Sequence, residues 1–488
     1  MFLSAFLLFL LEPLVAKIIL PWFGGSAAVW STCLVFYQVA LLAGYFYARL
    51  LTRYLRISTQ TLVHIALLAA SLGLLPIGPE ARWTPAALGH PQLQILSMLA
   101  ATIGIPFVAL SATTPLLQDW LACAGHQTPY RFFALSNFAS LAALLAYPLA
   151  IEPALDTRVQ RLTWSAVYAA FAAVCALAAW RSRKGEVAPT REREFDRLPN
   201  FRRLTWFALA ACGSMLLLAI TNHIDQNIAA VPLLWVLPLA IYLLTFVLAF
   251  GKWRLYRRAI WLRVLVFALG MLGYAIYSID SIEAIQISIP VFLAGLFACC
   301  LFCHGELNRL RPETSDLTTF YLVIAAGGAA GAIFVGFIAP TIFSGIYELP
   351  LTLVLTGALA GVLTWAEGKW PVRLLWVAIS AAMCMVFAKN VHDYRADTLS
   401  LRRSFYGALR VVETHAGPRA NRTLYHATIE HGAQFLFGPR RHRPTTYYGP
   451  DSGIGITLRE CFGSPKRVGV VGLGVGTIAA YGEGGDTF

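Results

Sequence analysis

Charged side chains are scarce in this chain of 488 residues. Asp, Glu, Lys and Arg make up 13% of it, about half the ~25% usual for a soluble domain, whereas 58% of the residues are hydrophobic. Acidic residues number only 25 against 38 Lys and Arg, which gives a net charge of +13. The composition excludes a disordered chain and an ordinary soluble enzyme. It is typical of a membrane protein with basic loops on one side.

A disulfide framework is also absent from the pattern, because the nine Cys are of ordinary density and most lie inside apolar runs. Cys300, Cys303 and His304 match the haem-attachment pattern C-x-x-C-H, but they end an apolar run on the expected cytoplasmic side. We interpret them as packing residues and expect neither haem nor metal. His426 and His431 should face opposite sides of one predicted strand, which makes them a poor metal pair.

Long apolar blocks predict thirteen membrane-spanning helices, because a hydrocarbon core ~30 Å thick needs roughly 20 apolar residues. Basic residues such as Arg49, Arg53 and Arg56 follow the even-numbered spans, so the N-terminus is expected in the cytoplasm. We therefore expect a multi-pass protein of the bacterial cytoplasmic membrane, in contact with the lipid bilayer. The spans are approximately 2–22, 28–50, 59–76, 92–111, 132–151, 162–180, 204–221, 231–250, 259–277, 286–303, 318–342, 349–366 and 371–388.

The spans form two similar halves. Residues 1–181 hold six helices, 182–203 form a charged cytoplasmic linker, and 204–389 hold six to seven helices. Trp30 and the residues after it align with Trp235 and its successors, and RFFALSNFASLAALLAYPLAIEP aligns with TFYLVIAAGGAAGAIFVGFIAP. Such a repeat is typical of transporters of the MFS type. The alternative is a chance match between apolar helices.

Five ionisable residues at membrane depth are candidate functional residues, because such groups are costly in lipid. A cation pathway suited to a polyamine is one interpretation, and structural ion pairs or interfacial positions are the other. The residues are Glu12, Lys17, Glu152, His223 and Asp225.

The composition changes near residue 390. RVVETHAG, RTLYHATIE and GAQFLFG read as strands, and PDSGIGITLREC as a helix with Asp451 or Ser452 near its N-cap. Residues 390–466 are thus expected to be β-rich. In 467–488, the apolar run 468–471 predicts a parallel strand leading through a Gly-rich turn into a helix, the first βα unit of a Rossmann-like domain. The fold class is accordingly mainly α and polytopic, with a small β domain and this unit after it.

The turn Gly472-Leu473-Gly474-Val475-Gly476 has the spacing G-x-G-x-G, which favours a nucleoside ligand of the S-adenosylmethionine type over a dinucleotide. A tight turn without a ligand is the alternative.

The segments SFYGALRVVE, ATIEHGAQFLF, RPTTYYGPDSGIGITL and RVGVVGLGVGT resemble the front of a spermidine synthase (polyamine aminopropyltransferase). FLSAFLLFLLEPLVAKIILPWFGGSAAVW and ITNHIDQNIAAVPLLWVLPLAIYLLTF resemble the membrane part of fused MFS/spermidine synthases. The resemblance implies a membrane-bound enzyme that transfers an aminopropyl group from decarboxylated S-adenosylmethionine to a polyamine.

The resemblance also implies roles for single residues. Gln434 with Gly472, Gly474 and Gly476 matches the positions that contact decarboxylated S-adenosylmethionine, and Tyr448, with Asp451 close behind, matches the amine site. Val475 stands where the family has Asp, and Gly449-Pro450 stand where it has Gln or His and then Glu, so the amine stays open.

The family's catalytic Asp is expected beyond Phe488, so we expect a truncated and inactive chain. The alternatives are a polyamine or organic-cation transporter of MFS-like architecture with a regulatory tail, and a nonfunctional gene fragment. Thirteen spans also leave the tail outside the cytoplasm, where its nucleoside substrate is not made. The basic run Arg440, Arg441 and Arg443 has few interleaved aromatics, so we expect no nucleic-acid partner.

Overall fold

A computed structural model describes the chain in two compact units, Met1–Ala339 with Glu348–Phe387, and Pro340–Tyr347 with Ala388–Phe488. The first is the membrane unit and the second is called the tail. The described residues are 1–84, 89–123, 129–182, 200–228, 233–251, 255–278, 285–312, 317–414, 417, 420–461, 463 and 465–488.

The described part of the membrane unit is built from long apolar helices, and eleven of them are long and apolar enough to cross a membrane. The helices are α1 (Phe2–Phe23), α2 (Ala27–Tyr54), α3 (Ile57–Leu72), α4 (Pro91–Cys123), α5 (Pro129–Ala146, continuing to Ala154), α6 (Thr157–Ser182), α7 (Asn200–Asn227), α8 (Val236–Phe250), α9 (Arg258–Ser278), α10 (Ile285–Arg309), α11 (Leu317–Ile333, continuing to Ile342), α12 (Glu348–Trp365) and α13 (Trp370–Arg395).

Two of the thirteen expected spans are shorter than predicted, because α3 has 16 residues and α8 has 15. The apolar run after α3 continues, but Gly73 and Pro76 end the helix at Leu72. Before α8, Leu233 has a φ of 65°, which a right-handed helix does not accept. Residues 231–232 of that predicted span lie outside the described part of the chain.

The packing of α1–α6 recurs in α7–α12. In the first set α1 packs on α4, α5 and α6, α2 packs on α4, and α3 packs on α4 and α6. The second set repeats every one of these pairs with each helix number raised by six. Between the sets, α2 packs on α11 and α5 packs on α8, which are again equivalent pairs.

The aligned segments of α5 and α11 carry the same irregularity. A five-residue π-helical turn, Tyr147–Ile151, interrupts α5, and another, Phe334–Ile338, interrupts α11. Placing Pro153 opposite Pro340 superimposes the two turns residue by residue. Single π turns inside α-helices are rare and frequently occur at functional sites, so their coincidence supports the alignment of the halves.

Glycine allows a close contact between the backbones of α7 and α11. A Cβ added at Gly327 would lie 2.4 Å from the carbonyl oxygen of Phe207, and one at Gly331 would lie 2.4 Å from that of Ala211. The two backbones therefore approach through small residues, as helices in lipid commonly do.

The charged linker predicted over residues 182–203 ends earlier than expected. Helix α7 already begins at Asn200, so 200–203 are helical, while residues 183–199 lie outside the described residues. The first turn of α7 is anchored by Arg202, whose guanidinium donates to the carbonyl oxygens of Leu310 and Arg311.

The tail contains a four-stranded antiparallel meander with the order β1 (Thr398–Ser404), β2 (Gly407–Thr414), β3 (Asn421–His426) and β4 (Ile429–Phe435). The sequence predicts three strands and misses β1. It also reads RTLYHATIE as one strand, whereas a turn at Ala427, with a φ of 55°, divides it into β3 and β4. The predicted helix is present as α14 (Gly453–Glu460), and the Ser452 hydroxyl caps it by accepting from the N–H of Gly455.

The Rossmann-like strand predicted over 468–471 is not formed. The described residues of this segment have one isolated parallel bridge, Arg467 to Thr487, and Val471 is fully exposed. The expected helix after the Gly-rich turn is a 3-10 helix, Thr477–Tyr481. A parallel strand needs neighbouring strands and cover on both faces, and the described tail supplies neither to 468–471.

Candidate functional site

Glu12 lies halfway along α1 and is 4% exposed. Its Oε2 atom has no hydrogen-bond partner among the described residues. The facing helix α2 places Cys33 and Tyr37 beside it, and the Tyr37 hydroxyl donates only a long bond, 3.5 Å, to the Glu12 backbone carbonyl. A carboxylate held without a partner at the middle of a membrane span can accept a proton or a cation.

Lys17 and Glu152 are brought together although they are far apart in sequence. Lys17 Nζ donates to Glu152 Oε1 over 2.7 Å, and the two side chains are 30% and 36% exposed. The pair joins α1 to the end of α5, directly after its π turn. This geometry fits the structural ion pair that the sequence left open for these two residues.

Asp225 and His223 lie near the C-terminal end of α7 and face different neighbours. The ring of His223 packs on Phe292 of α10 with centroids 4.5 Å apart, and its Nδ1 contacts Asn227 Nδ2 at 3.0 Å. Asp225 is 8% exposed, and neither carboxylate oxygen has a hydrogen-bond partner in the described chain.

Asn222 is a further polar residue of this end of α7 that was not among the predicted candidates, and its Oδ1 accepts a 2.6 Å bond from Ser31 Oγ of α2. The bond joins the first set of helices to the second, and Asn222 shares the helix face of Asp225 by its i, i+3 spacing. The polar run TNHIDQN inside an otherwise apolar helix was the available signal.

A second overlooked residue is Glu306 of α10, which is fully buried. It accepts hydrogen bonds from Tyr256 Oη at 2.7 Å, Arg258 Nε at 3.0 Å and Arg309 Nη2 at 2.8 Å. Arg258 and Arg309 also pair with Glu367. The i, i+3 spacing of Glu306 and Arg309 was visible in the sequence, but the distant partners were not.

Cys300, Cys303 and His304 are fully buried in α10. The imidazole of His304 stacks on Phe246 with centroids 3.5 Å apart, and its Nδ1 lies 2.8 Å from the Thr245 hydroxyl. Within the described residues no group of three or more His, Cys, Asp or Glu side chains could hold a metal ion.

In the tail, the loop 472–476 adopts a conformation that requires its glycines. Gly472, Gly474 and Gly476 have φ values of 90°, 56° and 73°, which side chains with a Cβ disfavour. The loop lies against β4, because a Cβ added at Gly432 would be 2.4 Å from Val475 Cγ2. Gly432 and Gln434 are two residues apart on one strand, so they share a face, and Gln434 stands on the face that meets the loop.

Tyr448 joins the same neighbourhood through its backbone, since its carbonyl accepts a 2.6 Å bond from the Tyr481 hydroxyl. Gln434 Nε2 reaches the carbonyl of Arg441 at 3.4 Å. Asp451 is exposed in the turn before α14. The structure thus brings the Gly-rich loop, β4 and the Tyr448 segment together, and the exposed Asp451 interacts electrostatically with Tyr481.

The expectation that His426 and His431 face opposite sides of one strand is wrong. Their rings lie 5.9 Å apart, because the turn at Ala427 places them on adjacent strands. The register of β3 and β4 also shifts next to His431, between Leu424 and Tyr425, and such a bulge re-aims a side chain.

No protein-family model matches the chain, and no curated protein matches it. Among solved structures, a crystal structure of the nucleoside transporter NupG matches 80% of this chain and 98% of its own at 9% identity, with a TM-score of 0.43. The human organic anion transporter MFSD10 (TETRAN) matches 79% of this chain and 96% of its own at 13% identity, with a TM-score of 0.38. Likeness at this level assigns no substrate to the chain.

Proposed function

We propose that this chain is a membrane transporter for organic cations of the polyamine class, with the tail in a regulatory role. The observation that carries the proposal is Glu12, a carboxylate halfway along a membrane span that is 4% exposed and whose Oε2 has no partner in the described residues. Such a group is costly in lipid and by default marks a binding or ion pathway.

The helix arrangement supports the same function. Two sets of six helices with equivalent packing meet through α2–α11 and α5–α8. Repeats of this kind bind their substrates near the bilayer midplane at the contact between halves. Glu12 lies at mid-span on α1, against α2, which is one of the helices that form that contact.

Lys17 and Glu152 differ from Glu12 because they form an ion pair with each other. These two charges neutralise each other at 2.7 Å, so neither is open to a cationic substrate. Lys17, the basic residue on the same helix as Glu12, is thereby engaged elsewhere. The free carboxylate of α1 can instead be neutralised by an ammonium group of a polyamine.

Uptake into proteoliposomes tests the proposal. Radiolabelled spermidine or putrescine should accumulate in vesicles carrying the wild-type chain, and Glu12→Gln should lower the rate by at least about tenfold, since a desolvated charge pair is lost. Glu80→Gln is the matched control, because Glu80 is 65% exposed and its ion-pair partner among the described residues is the likewise exposed Arg82. Uptake by the wild type no faster than by empty vesicles would reject the transporter.

A second candidate function is aminopropyl transfer by the tail, by resemblance to spermidine synthases. The observation in its favour is the Gly-rich loop held against the face of β4 that carries Gln434. This arrangement can offer backbone N–H groups and one amide to decarboxylated S-adenosylmethionine.

Calorimetric titration of the full chain in nanodiscs with decarboxylated S-adenosylmethionine tests the second candidate. Gln434→Ala should weaken binding by about 1 kcal/mol, the worth of one hydrogen bond. Gln286→Ala, at an exposed position of α10 in the membrane unit, should leave this binding unchanged. An equal affinity of wild type and Gln434→Ala would remove Gln434 from the site.

A further inference from the structure

We propose that the C-terminal end of α7 holds a second cation site, in which Asp225 binds a primary ammonium group. The inference rests on the proposed function, since it names the chemistry that a transported amine would present. It concerns a place in the membrane unit other than Glu12. Asp225 is on α7, the helix equivalent to α1 in the second set.

One face of α7 carries the site. Asn222 lies three residues before Asp225 and four before Gln226, so it neighbours both of them on the surface of the helix. His223 and Asn227 are paired with each other at 3.0 Å. The polar end of α7 is therefore divided between a closed pair and an open set.

The open set presents oxygen acceptors. Asp225 Oδ1, Asp225 Oδ2 and Gln226 Oε1 are buried and have no hydrogen-bond partner among the described residues. An ammonium group has three N–H donors and one positive charge, which matches three acceptor oxygens and one carboxylate. A buried carboxylate is retained at membrane depth when a cation or polar groups compensate it.

The position of the set is fixed by the contact between halves. Asn222 Oδ1 accepts the hydrogen bond of Ser31 Oγ at 2.6 Å, so this face of α7 meets α2. The neighbouring residue on α2, Trp30, stacks on Trp235 at the start of α8. The aromatic pair thus adds apolar surface next to Ser31, suited to the alkyl chain of an amine.

Binding measurements separate this inference from transport. The full chain in nanodiscs is titrated with putrescine, butylamine and NaCl, with choline chloride keeping the ionic strength constant. Asp225→Asn should weaken putrescine binding by about 30-fold or more, while Asp225→Glu should stay within about threefold. Glu80→Gln is the control for a carboxylate outside the membrane.

Every outcome of these titrations either supports or overturns the proposed site. Unchanged putrescine affinity in Asp225→Asn overturns the site, and if Glu12→Gln abolishes uptake at the same time, the transporter proposal stands alone. If millimolar Na⁺ displaces putrescine from the wild type but not from Asp225→Asn, the site binds sodium and the ammonium assignment is overturned. If Asp225→Asn does not fold, Asn222→Ala and Gln226→Leu replace it as tests, because both keep the carboxylate. Each should weaken putrescine binding about fivefold. Unaltered binding in both variants rejects the inference.

Discussion

The indole rings of Trp30 and Trp235 stack on each other with centroids 5.9 Å apart and an interplanar angle of 29°. These are the tryptophans that the alignment of the two halves places opposite each other. In an arrangement related by a two-fold axis, equivalent residues can contact each other only where they lie near that axis. The stack therefore locates the axis between α2 and α8, and the hydrogen bond from Ser31, the residue after Trp30, to Asn222 lies beside it.

The tryptophan stack should be energetically coupled. Trp30→Ala and Trp235→Ala each remove a buried ring, and the double variant should be less destabilised than the sum of the two by about 1 kcal/mol, because an aromatic pair adds that much beyond its buried area. Unfolding in mixed micelles measures the cycle. Trp180→Ala, at an exposed ring, combined with Trp30→Ala should be additive, and a purely additive Trp30–Trp235 cycle would contradict the contact.

The ion pair of Lys17 and Glu152 should be replaceable by its reverse. Lys17→Met and Glu152→Gln should each cost about 1 kcal/mol of stability, in the range of polar contacts between membrane helices. The exchanged pair, Lys17→Glu with Glu152→Lys, should recover most of the loss, because the 2.7 Å contact depends on opposite charge. Thermal unfolding in detergent is the measurement, and uptake by the exchanged variant is its control. No recovery would mean that the pair has a further role.

Glu306 should matter more for stability than Glu367, although both pair with Arg258 and Arg309. Glu306 is fully buried and Glu367 is 57% exposed. Glu306→Gln should cost about 3 kcal/mol, because a buried charge network loses its centre, whereas Glu367→Gln should cost about 0.5 kcal/mol. Thermal unfolding of the two variants under identical detergent conditions compares them, and equal losses would contradict the difference in burial.

Much of the membrane unit was readable from sequence because apolar length is a strong and local signal. The helix ends were less readable: α8 starts late because of the backbone at Leu233, which no hydropathy pattern records. The sequence did not indicate which charged residues pair with each other. Lys17, Glu12 and Glu152 look alike in the sequence, and only the packing of α1 against α5 shows that two of them pair and one does not.

The tail shows where local patterns mislead. The run RVGVVGLGVGT has the sequence of a buried strand and turn, and the glycines do adopt the positive φ values that the turn needs. The strand fails because its formation depends on neighbours, which a local pattern does not contain. His426 and His431 were misplaced for a related reason, since one two-residue turn converts a long strand into a hairpin.

The segment that closes the tail should lose order at low pH through Asp486. The backbone N–H groups of Lys466 and Glu483 donate to its carboxylate at 2.6 Å and 2.9 Å, and these bonds hold the pKa of the Asp486 carboxyl below its usual value. A carboxyl with a depressed pKa in the folded state stabilises the fold above its unfolded pKa, and this contribution is lost as the pH falls through the folded pKa.

Protection of residues 465–487 against hydrogen exchange, normalised to the intrinsic rate at each pH, should therefore be constant above about pH 5 and fall below about pH 4. Asp486→Asn should exchange faster than the wild type at pH 7 and approach it at low pH, where both side chains are neutral. Glu483→Gln keeps the backbone donor and should behave as the wild type. The same acid-induced loss in Asp486→Asn would show that another carboxyl controls the closure.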